Sequence, residues 1–462
     1  MHSAPHRYDI KNIISIEIIF FEGKVGMNGK LKALIAIIIV VFILIVAVIG
    51  LLLRDDHQEG RIEIDGDDQL LDEVDRYDWP GDGTPEKPFI IRSVRINVSG
   101  IMPCISIANT SKHLVIQDCV LAHNLDEEDQ IVGVGIRLFN ARNVTVIGND
   151  VVTVLNGLEV ISCSELTIIN NSMEGNYHCS DTDRSRFLNN HFAGVGANVL
   201  IRSNSNVFQN NVIQTTRGTG LLVQDSDINE FSNNTFEGKP LGAGGTQGWT
   251  GLVLSGSSNN TLYMDQMQGG GYLSTGMGLL DSHSNVIFKC KFIGRTGIYM
   301  ADSSENSIVE NEFHDAVSTS MEMIDSDRNT VEGNNMSNDY SIVGIHMNSC
   351  DLNVIRDNHM SGSSSATYIM NLVDSTENAI VNNTIRYIGN DSRTLRLAFD
   401  NTGQNSWNDS TNGNYWSDWT VPDADADGVV DDPYVLDGSE GAMDSYPSVD
   451  PLWIFNLHWV AG

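Results

Sequence analysis

Gly297-Ile-Tyr-Met-Ala-Asp-Ser-Ser-Glu-Asn-Ser-Ile-Val-Glu-Asn-Glu-Phe313 decides the fold, because variants of it recur through most of the 462 residues. Aligned on its second Asn, the recurrences fall at positions 118, 149, 171, 190, 211, 234, 265, 290, 311, 334, 358 and 383, and nine of these twelve residues are Asn. Asp118, Asp265 and Cys290 are the exceptions. Three residues earlier every position is apolar, from Val115 and Val146 to Ile355 and Ile380; two residues later all are apolar again, from Val120 to Ile385. Most spacings are 19 to 25 residues, short of the roughly 33 that helical repeats use. Within the turn Ile298 and Met300 alternate with Tyr299, Ile308 alternates with polar neighbours, and Phe313 follows the Asn. That pattern predicts three short strands per turn, bounded by Gly, Ser, Asp and Asn. Stacked turns of this kind form a parallel β-helix in which each strand pairs with its equivalent one turn on, so about 12 coils would span roughly 55 Å.

The Asn column has a physical reason. A carboxamide both donates and accepts, so identical Asn side chains one strand spacing apart hydrogen-bond up the stack. Asn also tolerates the left-handed conformation of a tight corner. A second Asn column runs through 206, 229, 260, 285, 306, 329, 353 and 378, with Ser three residues earlier at most turns and Cys350 at one.

With these columns in place the chain resembles the right-handed parallel β-helix repeat proteins, and among them the NosD-like proteins of archaeal and bacterial cell surfaces. The resemblance covers residues 79–447. Trp79-Pro-Gly-Asp-Gly-Thr-Pro-Glu-Lys-Pro-Phe-Ile-Ile91 resembles the first coil of such proteins. Gly413-Asn-Tyr-Trp-Ser-Asp418, the Asp-rich run to Tyr434 and Asp444-Ser-Tyr-Pro447 resemble their exit. The resemblance, not the spacing, implies the right hand. The expected architecture is all-β: a right-handed parallel β-helix over residues 79–400, preceded by one transmembrane helix and followed by a Trp-rich cap over 401–462. Five of the seven Trp residues, at 407, 416, 419, 453 and 459, lie in that cap and would close the open end of the stack.

The formal net charge is −33, which disfavours nucleic acid as a partner. Residues 1–54 hold six Lys/Arg against three Asp/Glu, so the remainder carries −36. Ala33 to Leu53 are uncharged and almost wholly apolar, long enough to cross a roughly 30 Å hydrocarbon core as a helix. Lys24, Lys30 and Lys32 precede this span and Arg54-Asp-Asp follows it, so residues 1–32 are expected in the cytoplasm and the acidic remainder outside. Residues 1–26 do not resemble a folded unit, and Met27-Asn-Gly-Lys reads as a more ordinary start for an anchor. Residues 54–78 read as an acidic, solvated spacer.

Function is sought where the repeat is broken. Two long spacings, 118 to 149 and 234 to 265, insert loops in the same part of the turn, and loops on one face of a solenoid are often its binding face. The first contains Asp126, Glu127 and Glu128; the second ends at Trp249, a candidate stacking platform. The two would lie about 24 Å apart and flank a groove for an extended ligand. Asp281, Asp302 and Asp325 recur at one repeat position on successive turns, an arrangement open to a glycosidase pair, a cation site or corner Asx turns. Asp423-x-Asp425-x-Asp427-Gly428-x-x-Asp431 is the strongest chemical motif. Alternate carboxylates with Gly sixth converge on a hard cation as in the first half of an EF-hand loop, so Ca2+ is the expected cofactor. Position twelve is Tyr434 rather than Glu, leaving Asp432, Asp437 or Asp444 to complete a shell. Met300, Met323 and Met347 stack near His346 and His359, soft ligands of the kind copper prefers. The resemblance brings copper-enzyme assembly to mind through its founding members, but alternation turns these Met side chains inward. Copper is therefore not expected. None of the six cysteines has a metal-type CxxC spacing; Cys163 and Cys179 fall in neighbouring turns and could pair, with buried unpaired thiols the default expectation. The reading is a membrane-anchored surface β-helix that binds envelope polysaccharide or a surface glycoprotein. A polysaccharide hydrolase or lyase is the alternative, and it would need two groove carboxylates with one strongly perturbed; copper delivery, implied by the resemblance, is a third.

Overall fold

A computed structural model describes residues 60–451, apart from 124–132, 217, 239–248, 271–272, 315, 317, 337–342, 365–366, 391–394 and 440. The expected membrane span, the cytoplasmic segment, and Asp126, Glu127 and Glu128 lie outside the described residues. Among the described residues no helix is long and apolar enough to cross a membrane.

The repeat forms three parallel faces. In the turn from Gly297 to Phe313, Thr296–Ala301 lies on the first face, Ser307–Val309 on the second and Glu312–His314 on the third. Each pairs in parallel with its equivalent one turn on: Ile298 with Met321, Ile308 with Val331, Glu312 with Asn335. The second face alone is a sheet of 13 strands. The first and third faces are counted as one 27-stranded sheet, because Asp150–Ile161 and Ser172–Ser180 run through the corner between them as continuous strands. Alternation fills the interior as expected, with Ile298, Met300, Ile308 and Phe313 buried. Gly297 is required at the start of its strand, since a Cβ there would sit 2.3 Å from the Phe313 ring.

The Asn column is a buried ladder. The Asn334 Oδ1 accepts from both the backbone N–H (2.9 Å) and the Nδ2 (2.9 Å) of Asn311, while the Asn334 Nδ2 donates to the Ile308 carbonyl at 2.8 Å. The second column repeats the geometry, as where Asn306 N–H donates to Asn329 Oδ1 at 2.8 Å. The left-handed residue is not the ladder Asn but the one before it, such as Asn233 (φ 55°) or Glu310 (φ 53°).

Four expectations need correction. At the first turn the ladder residue is Cys119, not Asp118: Gln117 pairs with Ile147, and the Cys119 N–H donates to Asn149 Oδ1 at 3.0 Å. The inward residues there are accordingly Ile116 and Leu121, whereas Val120 is exposed. The β-helix does not begin at 79. Ile62–Asp65 already pairs with Ile105–Ala108, and Asp67–Tyr77 is a helix that buries Leu70 and Val74 on the end of the stack. Thus the described part of the 54–78 spacer is a cap whose i, i+4 apolar pair was too short a signal to read. Nor does the stack end at 400, since Asn383 N–H donates to Asn414 Oδ1 at 3.0 Å and Asn414 N–H to Asp444 Oδ2 at 2.7 Å. Trp416 stacks on Tyr434 with centroids 4.1 Å apart, and Trp407 Nε1 donates to Asp400 at 3.1 Å. These rings close the end as expected; Trp453 and Trp459 lie outside the described residues.

Asn334→Ala would strand the Asn311 N–H and Nδ2 and the Ile308 carbonyl in the interior. At about 1–3 kcal/mol for each unsatisfied group, partly relieved by relaxation, a loss of about 3 kcal/mol is expected in urea unfolding monitored by circular dichroism.

Candidate functional site

Two adjacent rungs, 261–268 and 286–293, depart from the repeat both in the Asn ladder and at the corner before it. Their ladder residues are Asp265 and Cys290, and the left-handed corner residues before them are Met264 (φ 55°) and Lys289 (φ 54°). On the second face the outward residues beside this corner are Tyr263 and Phe288, whose rings stack at 5.7 Å with planes 15° apart. Tyr263 is 37% exposed, and the Lys289 ammonium lies 4.8 Å from the centre of the Phe288 ring. A cavity of about 390 Å3 opens beside them along the corner, lined by Thr235, Met264, Gln266, Lys289, Lys291 and Glu312 among others. Asp265 reaches its floor but is buried: Oδ1 accepts from Asn234 N–H (2.6 Å) and Nδ2 (2.9 Å), and Oδ2 accepts from Tyr263 N–H at 3.1 Å. Burial pushes its carboxyl up to about 7, against the pull of the Asn234 and Tyr263 hydrogen bonds. Glu312 holds His314 at 3.0 Å. The cavity lies at the opposite end of strand Thr235–Gly238 from the second insertion. Trp249, at the far end of that insertion, pairs through its backbone with Gly270 and is half-buried.

The acidic loop forms a second cluster. Asp423, Asp425 and Asp427 each offer a carboxylate oxygen within 4.8 Å of the others. Asp423 accepts from Asp427 N–H at 3.2 Å and Gly428 N–H at 3.0 Å, so the loop curls around its first carboxylate. The Asp427 amide lowers the Asp425 carboxyl, but repulsion from Asp427, desolvation, the Asp423 hydrogen bond and repulsion from Asp431 together leave this group above its ordinary value. Asp431 is tied back instead, accepting from Ala424 N–H at 2.8 Å. Asp437 accepts from Arg396 N–H at 2.9 Å and Asp444 belongs to the ladder, so neither is free to complete a shell. Three convergent carboxylates are a donor set that suits a hard cation.

The sequence of this chain matches two family descriptions. "Right handed beta helix region" matches residues 199–345 and 279–414, and "Periplasmic copper-binding protein (NosD)" matches residues 110–269. The chain is a NosD-like right-handed β-helix repeat protein. Among solved structures, this NosD-like chain is similar to the periplasmic alginate epimerase AlgG, with 11% identity over 69% of this chain and 80% of that one, TM-score 0.38. It is also similar to the mannuronan C-5 epimerase AlgE4 A-module of Azotobacter vinelandii (14% identity, 73% and 95% covered, TM-score 0.37) and to the alginate lyase AlyF-OU02 (11%, 74% and 87%, TM-score 0.32). Scores of this size say nothing of activity. No curated protein sequence matches the chain.

Other candidate residues are placed as follows. Asp281, Asp302 and Asp325 occupy left-handed corner positions with φ between 47° and 50°, and Asp225 and Asp374 repeat the same geometry. Five repetitions of one backbone conformation are corner chemistry. Met300, Met323 and Met347 are fully buried along the first face, so the thioethers of the NosD-like chain face the core and not a ligand. His359 is half-buried, and its imidazole is held below its usual value by burial and by Arg386. All six cysteines are buried thiols outside any disulfide, Cys163 and Cys179 included. Burial pushes the Cys163 thiol up to about 11 and the Cys179 thiol up to about 12, which makes both inert. The corner cavity was not foreseen, although Asp265 and Cys290 stood out as breaks in the Asn column.

The buried Asp265 predicts a pH signature. Its folded carboxyl, at about 7 against 3.8, binds its proton more tightly than the unfolded one, so the stability it contributes is full below about pH 4 and is lost as pH rises to about 7. Three pH units correspond to at most about 4 kcal/mol. Asp265→Asn, which restores the ladder residue, should flatten that fall. The difference in urea midpoint between wild type and variant should grow from pH 4 to pH 7 and then level off.

Proposed function

We propose that this NosD-like chain is a carbohydrate-binding β-helix, held at the cell surface by its N-terminal anchor and directed at envelope polysaccharide or glycoprotein. The observation that carries the reading is the Tyr263–Phe288 stack, half-exposed on the second face and joined to the corner cavity by Lys289, which lies over the Phe288 ring and lines the cavity. Flat aromatic rings give a sugar's C–H face a large, rigid apolar partner, and Thr235, Gln266 and Glu312 supply oriented polar groups for its hydroxyls. A stacked solenoid keeps such a platform rigid, so binding needs little ordering of the protein. The apolar run Ala33 to Leu53 and the lysines before it support the anchored, outward-facing topology.

A hydrolase or lyase is less well supported. Glu312 and the strongly perturbed Asp265 do line one cavity, which is the observation that favours catalysis. Asp265, however, is 1% exposed and both its oxygens are engaged by the protein itself. It has no free face to offer a glycosidic oxygen. One accessible carboxylate does not make the pair that glycoside hydrolysis uses.

We further propose that the loop bearing Asp423, Asp425 and Asp427 takes Ca2+, which relieves the mutual repulsion of its carboxylates and stiffens the cap. Titration calorimetry should detect calcium binding to the intact protein and none after Asp425→Ala with Asp427→Ala; absence of heat from the intact protein rejects the site.

The full chain in detergent, applied to a glycan array, should retain a subset of glycans and release no reducing ends from them. Tyr263→Ala and Phe288→Ala should each weaken retention about tenfold, roughly 1.4 kcal/mol. An array without signal, or one indifferent to both substitutions, overturns the reading.

A further inference from the structure

We infer that the corner cavity selects an acidic sugar: the ammonium groups of Lys289 and Lys291 receive the carboxylate of a uronic-acid residue whose ring lies against Tyr263 and Phe288. This rests on the carbohydrate-binding reading and adds the ligand's charge class.

The first ground is placement. The chain has 27 Lys and Arg against 60 Asp and Glu, so its overall field repels polyanions and only a local arrangement can hold one. Lys289 and Lys291 stand on a single rung, separated by the inward Cys290, and both line the cavity. Two cations are thus presented to the same space by the period of the backbone.

A second ground is conformation. From Asp118 to Asn382 the left-handed corner column is Asn, Asp or Gly except at Met264, Lys289 and Glu310, all with φ between 53° and 55°. An unbranched Lys in that region is disfavoured relative to Asn. Long side chains hold positive φ elsewhere in the stack, as at Arg184 and Arg328, so what sets Lys289 apart is the open cavity it lines and the Phe288 ring its ammonium faces.

Thirdly, the charges are available. Lys289 meets Glu310 at 3.5 Å, but that pair is half-exposed and open to competition from a ligand. Lys291 lies in register between Gln266 and Glu312, and among the described residues it makes no ion pair. Two ammonium groups stand against Glu312 in the cavity wall and Glu310 beside it, so a ligand that takes the place of Glu310 on Lys289 meets one net positive unit, which matches a carboxylate monoanion better than a phosphate dianion. Compact ammonium groups also suit a single carboxylate as point charges. Burial pushes the Asp265 carboxyl up to about 7, so near neutral pH it is only partly ionised and offsets part of this charge.

The test compares a uronic-acid hexasaccharide with its carboxyl-reduced, neutral counterpart on the full chain in detergent, by calorimetry at two salt concentrations. The acidic oligosaccharide should bind about tenfold or more tightly than the neutral one, and the difference should shrink with salt. Lys289→Asn, which puts the usual corner residue back, and Lys291→Gln should each cost the acidic ligand about tenfold and leave the neutral one unchanged. Lys289→Asn should melt no lower than wild type, which separates lost binding from lost folding. Equal affinity for the two oligosaccharides, or Lys variants without effect on the acidic one, overturns the inference while binding lost on Tyr263→Ala keeps the carbohydrate reading alive. Failure of both oligosaccharides to bind, with array-positive neutral glycans still retained, overturns the inference alone; failure of every glycan overturns both.

Discussion

An inward carboxamide satisfies, in this stack, groups that water can no longer reach. Asn311 accepts from the Cys290 N–H, donates to the Ile287 carbonyl and donates again to Asn334 Oδ1. The corner between the second and third faces turns too sharply for strand pairing to supply those partners, and a buried amide or carbonyl without one is costly. The ladder therefore lets the chain turn a corner inside its own interior. Ser and Asn at the other corner do the same work with shorter reach, as in Ser303 N–H to Ser326 Oγ at 3.1 Å and Asn306 N–H to Asn329 Oδ1 at 2.8 Å. Stability is then passed from rung to rung, each residue closing the bonds of the one before it.

Such a chain of dependence must end somewhere. At the C-terminal side the last carboxamide, Asn414, meets Asp444, whose Oδ2 also takes the Trp416 indole N–H at 3.0 Å. A carboxylate accepts and does not need to donate, which makes it a natural terminator for a ladder that runs donor to acceptor. The opposite end is covered by the helix Asp67–Tyr77. Both caps protect open strand edges that would otherwise recruit another chain.

The repeating part of the fold was legible because inward and outward positions differ in chemistry, and twelve near-copies make the difference visible. Where only one copy exists, the reading slipped. Asp118 and Cys119 are both poor matches to Asn, and only the pairing of Gln117 with Ile147 decides between them; since strand side chains alternate, that one-residue shift exchanged buried Leu121 for exposed Val120. The helix Asp67–Tyr77 escaped for a similar reason, its acidic outer face hiding two buried residues. At the candidate site, Asp265 and Cys290 were visible as irregular, but their meaning lay in outward neighbours. Tyr263 and Phe288 are two residues before them, on another face, and a column alignment by itself does not say that their rings meet.

Repetition constrains function as strongly as it builds structure. A residue present at five turns, such as the left-handed Asp of Asp225, Asp281, Asp302, Asp325 and Asp374, is answering a demand made at every turn. A local function needs a place where that demand is refused, and each refusal has a cost: a carboxylate in the ladder loses its proton only against burial, and a lysine at a left-handed corner gives up a better conformation. Isolated departures are tolerated throughout the stack, as at Cys350 or Leu352. At the corner between the second and third faces, only Met264–Asp265 and Lys289–Cys290 among the described residues depart in ladder and corner together on consecutive rungs, with a cavity beside them. Costs borne at one position drift away under selection for stability; costs borne together, on one surface, are held there by something that the surface does.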